Sequence, residues 1–192
     1  GMPLPFTAAM ILWNNVVTET VITINLVLEP GEGDEMRAPP PPLSEPLMGG
    51  TALWRAALMS ITIAGSVLGF YAWHLDRGFP LAVTQTAAFT VLAVCEWFNV
   101  LNVRSARHTA LDRSILRNPW LVGGLVVANV LQAAVVFLPP LQAVFRTASL
   151  PLVEVFAIGA VGSLVLWVEE ARKWFARRRA PRGTTPAPAA TR

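Results

Sequence analysis

Five continuous apolar stretches, each about twenty residues long, leave this chain few folds to choose from. They run from about Thr7 to Leu28, Leu53 to His74, Leu81 to Val103, Trp120 to Leu138 and Leu152 to Trp174. The prolines and most of the charges fall between them. The hydrocarbon core of a bilayer is roughly 30 Å thick, which about twenty helical residues cross. No water reaches backbone N–H and C=O groups there, so a spanning segment must satisfy them internally, as a helix does. The stretches show no alternation of apolar and polar residues, which argues against half-buried strands. Composition agrees: 54% of the 192 residues are hydrophobic and only 14% charged, too apolar for an ordinary soluble domain. The expected fold class is an all-α membrane protein, a bundle of five transmembrane helices occupying residues 1–180.

Orientation follows from the basic residues. Arg37, Arg55, Arg104, Arg107, Arg113, Arg117 and the C-terminal group Arg172, Lys173, Arg177, Arg178, Arg179, Arg182 and Arg192 all fall on one side of such a bundle. Only Arg77 and Arg146 fall on the other. The crowded side is expected to be cytoplasmic, which puts the N-terminus outside and the C-terminus inside. Trp54, Trp73, Trp120, Trp167 and Trp174 lie near span ends, where an amphipathic ring is favoured. Because the basic residues flank apolar spans, the expected partner is the lipid bilayer and not nucleic acid. The expected location is integral to a membrane, a bacterial plasma membrane.

The connections differ in character. Glu29 to Pro46 is acidic and then proline-rich, with Pro39 to Pro42 favouring an extended polyproline segment. It reads either as a solvated spacer or as a strip that docks something cytoplasmic. Residues 181–192 are expected to form a disordered cytoplasmic tail. The start, Gly1-Met-Pro-Leu-Pro5, has no basic n-region or cleavage site, and the first span begins almost at once. A chain that continues upstream is expected.

Two acids lie deep inside the spans, Glu19 and Glu96. An ionisable residue within the membrane marks an ion or proton path by default. On an α-helix Asn15, Thr18 and Glu19, at i, i+3 and i+4, share one face, and Asn99 lies one turn from Glu96. Carboxylate, amide and hydroxyl oxygens suit hard cations such as calcium, sodium or potassium, and suit copper or zinc poorly. A second reading stays open: Asn and Thr as interhelical hydrogen-bonding glue, with each Glu buried and neutral. The lone Cys95 forms no intrachain disulfide, and His74 and His108 lack a second ligand at metal spacing, so interfacial roles are expected for both. No Ser-His-Asp order, glycine-rich phosphate loop or paired-carboxylate arrangement is visible, so no catalytic residue is expected here. Gly65 and Gly69 form a small-xxx-small pattern that admits another helix at close range.

Several of these motifs, in this order, resemble a known family. Leu12-Trp-Asn-Asn-Val-Val-Thr-Glu19, Leu28-Glu-Pro, Asp34-Glu-Met-Arg-Ala-Pro-Pro and Ser44-Glu-Pro-Leu47 are similar to the sixth transmembrane helix and following cytosolic loop of P-type cation-transporting ATPases of the calcium-pump type. Val94-Cys-Glu-Trp-Phe-Asn-Val-Leu-Asn102 resembles the eighth helix. Arg117-Asn-Pro-Trp-Leu121, Pro139-Pro140 with Phe145, and Trp167-Val-Glu-Glu-Ala-Arg-Lys173 resemble the start of the ninth helix, its connection to the tenth, and the end of the tenth.

The resemblance implies that Asn15, Thr18, Glu19 and Glu96 ligate the transported cation, with Asn99 alongside. Calcium is favoured; sodium, potassium, magnesium or the proton remain open. It implies that Gly65 and Gly69 pack against the fifth helix, and that the acidic loop contacts the phosphorylation domain. Glu19 stands where calcium pumps carry Asp, one methylene shorter, and Asn14 stands where the family usually has an apolar residue. No Asp-Lys-Thr-Gly phosphorylation motif occurs. ATP and magnesium would therefore act in absent domains, beside absent helices one to five. The function expected is the membrane part of an ATP-driven cation pump, with the chain a fragment of it. The alternative is a stand-alone, non-enzymatic membrane protein that binds or modulates a partner pump.

Overall fold

In the computed structural model the described residues are 1–22, 24, 49–104 and 118–179. The acidic, proline-rich loop, His108 and its basic neighbours, and the C-terminal tail lie outside them.

Helix α1 (Ala8–Asn14) opens at Thr7, whose extended backbone and hydroxyl cap the first turn by accepting from the Met10 N–H at 3.3 Å. The residues before it are tied down. Gln85 Nε2 donates to the Leu4 carbonyl at 2.7 Å, and the Tyr71 hydroxyl lies 3.0 Å from the Pro3 carbonyl. From Asn15 to Ile22 the winding changes to π. Six of these eight residues are β-branched, the type that crowds an α-helix. The first span is therefore not one regular α-helix, and the i, i+3, i+4 interval is not the facing interval across Thr18 and Glu19. Hydrogen bonds that reach i+5 widen the turn.

Helices α2 (Gly50–Asp76) and α3 (Leu81–Arg104) form a hairpin closed by Gly78, whose positive φ of 74° suits a residue without Cβ. Helix α4 (Pro119–Phe137) starts on the Asn118 side chain, which accepts from the Leu121 N–H at 3.0 Å, with Pro119 in the first turn, where no N–H is needed. Pro139 ends α4's run, since proline neither donates nor fits beneath the preceding turn, and opens the short α5 (Pro139–Phe145).

The fifth span was expected as one helix from Leu152 to Trp174. It is two, α6 (Leu152–Gly162) and α7 (Leu164–Arg179), broken at Ser163. The break falls at a Gly-Ser pair, a common place for kinks. The Ser163 hydroxyl donates to the Ala160 carbonyl at 2.7 Å. A Cβ on Gly162 would come within 2.5 Å of Val94 Cγ1, so α6 ends in close contact with α3.

Helix α3 is central. It packs on α2, α4, α6, α7 and the π segment. The main core lies between α2, α3, α6 and α7 around Tyr71, Ala87, Ala88, Val91, Ile158 and Val165. Small residues on α3 let its neighbours close in, as membrane helices do when dispersion forces rather than water drive packing. A smaller cluster of Met10, Phe89 and Val135 seats α1. Helices α2, α3, α4 and the α6–α7 run are long and apolar enough to cross a membrane, and Ala8–Val17 is a shorter apolar helix. Their outer faces stay apolar, with Ile61, Val130, Val153 and Phe156 exposed. Helices apolar on every side belong in lipid. Among the described residues the molecule is an all-α membrane bundle.

Candidate functional site

Helices α1 and α3 bring one polar pair together in an apolar setting. Met10, Asn14 and Val17 form the buried stripe of the first span. Asn14, 6% exposed, directs its amide at α3, where Nδ2 donates to Glu96 with 2.9 Å to each carboxylate oxygen. Glu96 is half-buried, and the pair edges a cavity of about 290 Å³ that Met10, Asn15, Phe89 and Leu92 also line. One turn along α3, Asn99 Oδ1 is buried and accepts no hydrogen bond among the described residues.

The register of α1 that sets up this contact is fixed from both sides. Trp13 Nε1 donates to Gln132 Oε1 on α4 at 3.3 Å, and the Trp13 ring meets Phe145 edge-on at a centroid distance of 4.8 Å. Gln132 is held in turn by its Nε2, 3.4 Å from Thr90 Oγ1 on α3. Thr7, before α1, donates to the Phe145 carbonyl at 3.5 Å.

Of the residues singled out in the sequence, Glu96 and Asn15 border this cavity and Asn99 lies one turn beyond. Asn15 is exposed, while its neighbour Asn14 makes the contact to Glu96. The Thr18 and Glu19 side chains lie outside the described residues; their backbone belongs to the π segment. π-Turns inside helices are frequent at functional sites. Asn14 falls outside the i, i+3, i+4 set that begins at Asn15. The signal was its place in the stripe Met10–Asn14–Val17, a polar residue where the periodicity demands an apolar one.

A larger cavity of about 460 Å³ lies between α3, α4 and α6, edged by Val94, Phe98, Leu125, Val136 and Ile158. It has no charged side chain on its wall and is not the place for a cation.

Two further charge clusters lie at opposite ends of the bundle. At the end where α2 begins, Glu169, fully buried, meets Arg55 Nε and Arg172 Nε at 2.7 Å each. Arg55 also donates to the Asn102 carbonyl at 2.7 Å, and the Asn102 amide donates to the Val165 carbonyl at 3.0 Å. Three helices are thereby joined. At the other end the buried His74 places Nε2 3.0 Å from Glu154 Oε2 and Nδ1 3.1 Å from the Phe70 carbonyl. Both nitrogens face oxygen partners, so His74 is a packed structural residue, held among the Phe70, Trp73 and Phe79 rings.

Known proteins are similar to this chain in sequence. The family model described as "Cation transporting ATPase, C-terminus" matches residues 3–175. A probable cation-transporting ATPase F of Mycobacterium tuberculosis is 31% identical over 169 residues, covering 86% of this chain and 19% of the relative. Calcium-transporting ATPase 1 of Schizosaccharomyces pombe is 31% identical over 182 residues, covering 93% of this chain and 20% of the relative. A calcium-transporting ATPase of Bacillus subtilis is 28% identical over 151 residues, covering 78% and 17% respectively. The chain spans about a fifth of the length of these curated relatives. With the family model matching most of its length, this chain belongs to the cation-transporting ATPases, as their C-terminal membrane region.

Proposed function

We propose that this bundle supplies part of the cation pathway of an ATP-driven pump, and that calcium is the cargo. The observation that carries the reading is the Glu96 carboxylate, set by Asn14 at the edge of a cavity between α1 and α3. A carboxylate at this depth is costly unless it does something, and oxygen ligands suit a hard cation. Asn15, Thr18, Glu19, Glu96 and Asn99 are the side chains assigned to the cargo. Asn15 lies on the same cavity, and the buried Asn99 Oδ1, which accepts no hydrogen bond among the described residues, would be a further ligand oxygen. Calcium is preferred because relatives at similar distances are named for calcium transport.

In the pump, ATP-driven phosphorylation of domains beyond this sequence would alternate the site's access between the two sides of the membrane. The end carrying Arg55 and Arg172 would face the cytoplasm. Gly65 and Gly69 expose a strip of α2 where an added Cβ meets nothing within 4 Å, and this strip would receive another pump helix. The bilayer in this reading is a bacterial plasma membrane.

The test is Glu19→Gln in the full-length pump that carries this sequence, read as calcium-stimulated phosphorylation from ATP. Strong loss of calcium sensitivity is expected. Wild-type calcium dependence in that variant would remove Glu19 from the site.

A further inference from the structure

We propose that Asn14 is a positioning residue of the transport site, holding the Glu96 carboxylate ready for the cargo cation. This rests on the reading above that Glu96 is a ligand, and adds a residue that reading does not include.

Asn14 occupies the buried face of α1, between Met10 and Val17, where an amide is costly unless it finds a partner. Its Nδ2 is 2.9 Å from each oxygen of Glu96. The one nitrogen bridges both oxygens, so the swing of the carboxylate about the glutamate side chain is checked. Asn14 is itself held. Met10, a turn before it, is fully buried against Phe89 and Val135, and Trp13, adjacent to it, is pinned to Gln132. Constraint therefore passes from α4 through Trp13 and α1 to the carboxylate on α3.

The choice of an amide has chemical consequences. A lysine or arginine here would fix Glu96 and also cancel its charge. The neutral amide fixes it without adding a charge that opposes the carboxylate's own. A carboxylate offers about four lone-pair sites, and a single donating nitrogen engages at most two of them. Asn14, Asn15 and Glu96 line one cavity together. A ligand ordered in advance does not have to be immobilised when the cation arrives, which raises affinity without changing the chemistry that follows.

The experiment uses the full-length pump, with calcium as probe and phosphorylation from ATP as readout. Asn14→Leu keeps the shape and removes the donor. It is expected to raise the half-saturating calcium concentration about three- to tenfold, with the phosphorylation level at saturating calcium close to wild type. Asn14→Gln, which restores an amide, is expected to recover part of the shift. Asn14→Ala replaces the leucine variant if that one does not assemble. An unchanged half-saturating concentration in both donor-free variants, with Glu96→Gln still impaired, would overturn the positioning role and leave Glu96 a ligand. An unchanged Glu96→Gln would instead overturn the site itself.

Discussion

The Arg55 guanidinium, one turn into α2, lies 2.7 Å from the carboxylate of Glu169, a side chain with no exposed surface on α7. Their helices are 114 positions apart in sequence at this point (169 less 55), so the contact is a clasp between distant parts of the chain. Glu169 also holds Arg172, one turn further along its own helix, through Nε at 2.7 Å and Nη2 at 2.8 Å. One carboxylate thus compensates two guanidinium groups. Removing it leaves both without that partner, and breaking a buried pair in this way costs about 3–5 kcal/mol. Glu169→Leu is expected to lower the unfolding temperature in detergent substantially. Arg55→Leu, which leaves the Arg172–Glu169 pair in place, should cost less. Equal losses in the two variants would mean that Glu169 does not serve as the shared anchor.

The His74–Glu154 pair should behave as a unit. Each single substitution to leucine strands a buried polar partner, at about 1–3 kcal/mol. Replacing both removes the pair together with its need for satisfaction. The double variant His74→Leu/Glu154→Leu is therefore expected to be clearly more stable than the sum of the two single losses. A double-mutant cycle on unfolding in detergent measures this. Strict additivity would show that the 3.0 Å contact carries no coupling.

Gly162 should not tolerate a side chain. Its would-be Cβ lies 2.5 Å from Val94 Cγ1 and 3.4 Å from the backbone nitrogen of Cys95. Overpacking of this kind costs about 1–3 kcal/mol. Gly162→Ala is expected to destabilise the bundle, and Val94→Ala in the same molecule to restore part of the loss by clearing the closest atom. Failure of Val94→Ala to help would place the strain in the backbone at the Ser163 break.

Gly65 and Gly69 give the opposite expectation in the bundle itself. Nothing lies within 4 Å of a Cβ at either position. Gly65→Leu and Gly69→Leu should therefore barely change the unfolding of this region alone, yet impair assembly of the full-length pump, where another helix would meet that strip. Equal tolerance in both settings would mean that the strip faces only lipid.

Much of the fold was legible because the bilayer permits so little. Long apolar runs must close their own hydrogen bonds, so α2, α3 and α4 follow from length and hydropathy alone. The break at Ser163 was not legible, since Gly162 and Ser163 are ordinary residues in a membrane span and the closeness of Val94, on another helix, cannot be read from the chain. The π winding at Asn15 was hidden for a related reason: the β-branched run is visible, but it argues only against an ideal α-helix and does not name the alternative. The candidate site was half legible. Glu96 announces itself as an acid at depth. Its Asn14 contact depends on the rotation of α1, which is set by Trp13 and Met10 against α3 and α4. The partners of Glu154 and Glu169 lie on other helices or at a depth that the order of residues does not give.

The most direct measurement is equilibrium binding of calcium to the purified full-length pump, comparing wild type with Glu96→Gln. The substitution keeps the shape of the side chain and one of the two oxygens that accept from Asn14, and removes the charge. The expected result is measurable calcium binding in the wild type and at least a tenfold weaker affinity in the variant, about 1.4 kcal/mol. Identical binding curves would contradict the assignment of the α1–α3 cavity to the cation path.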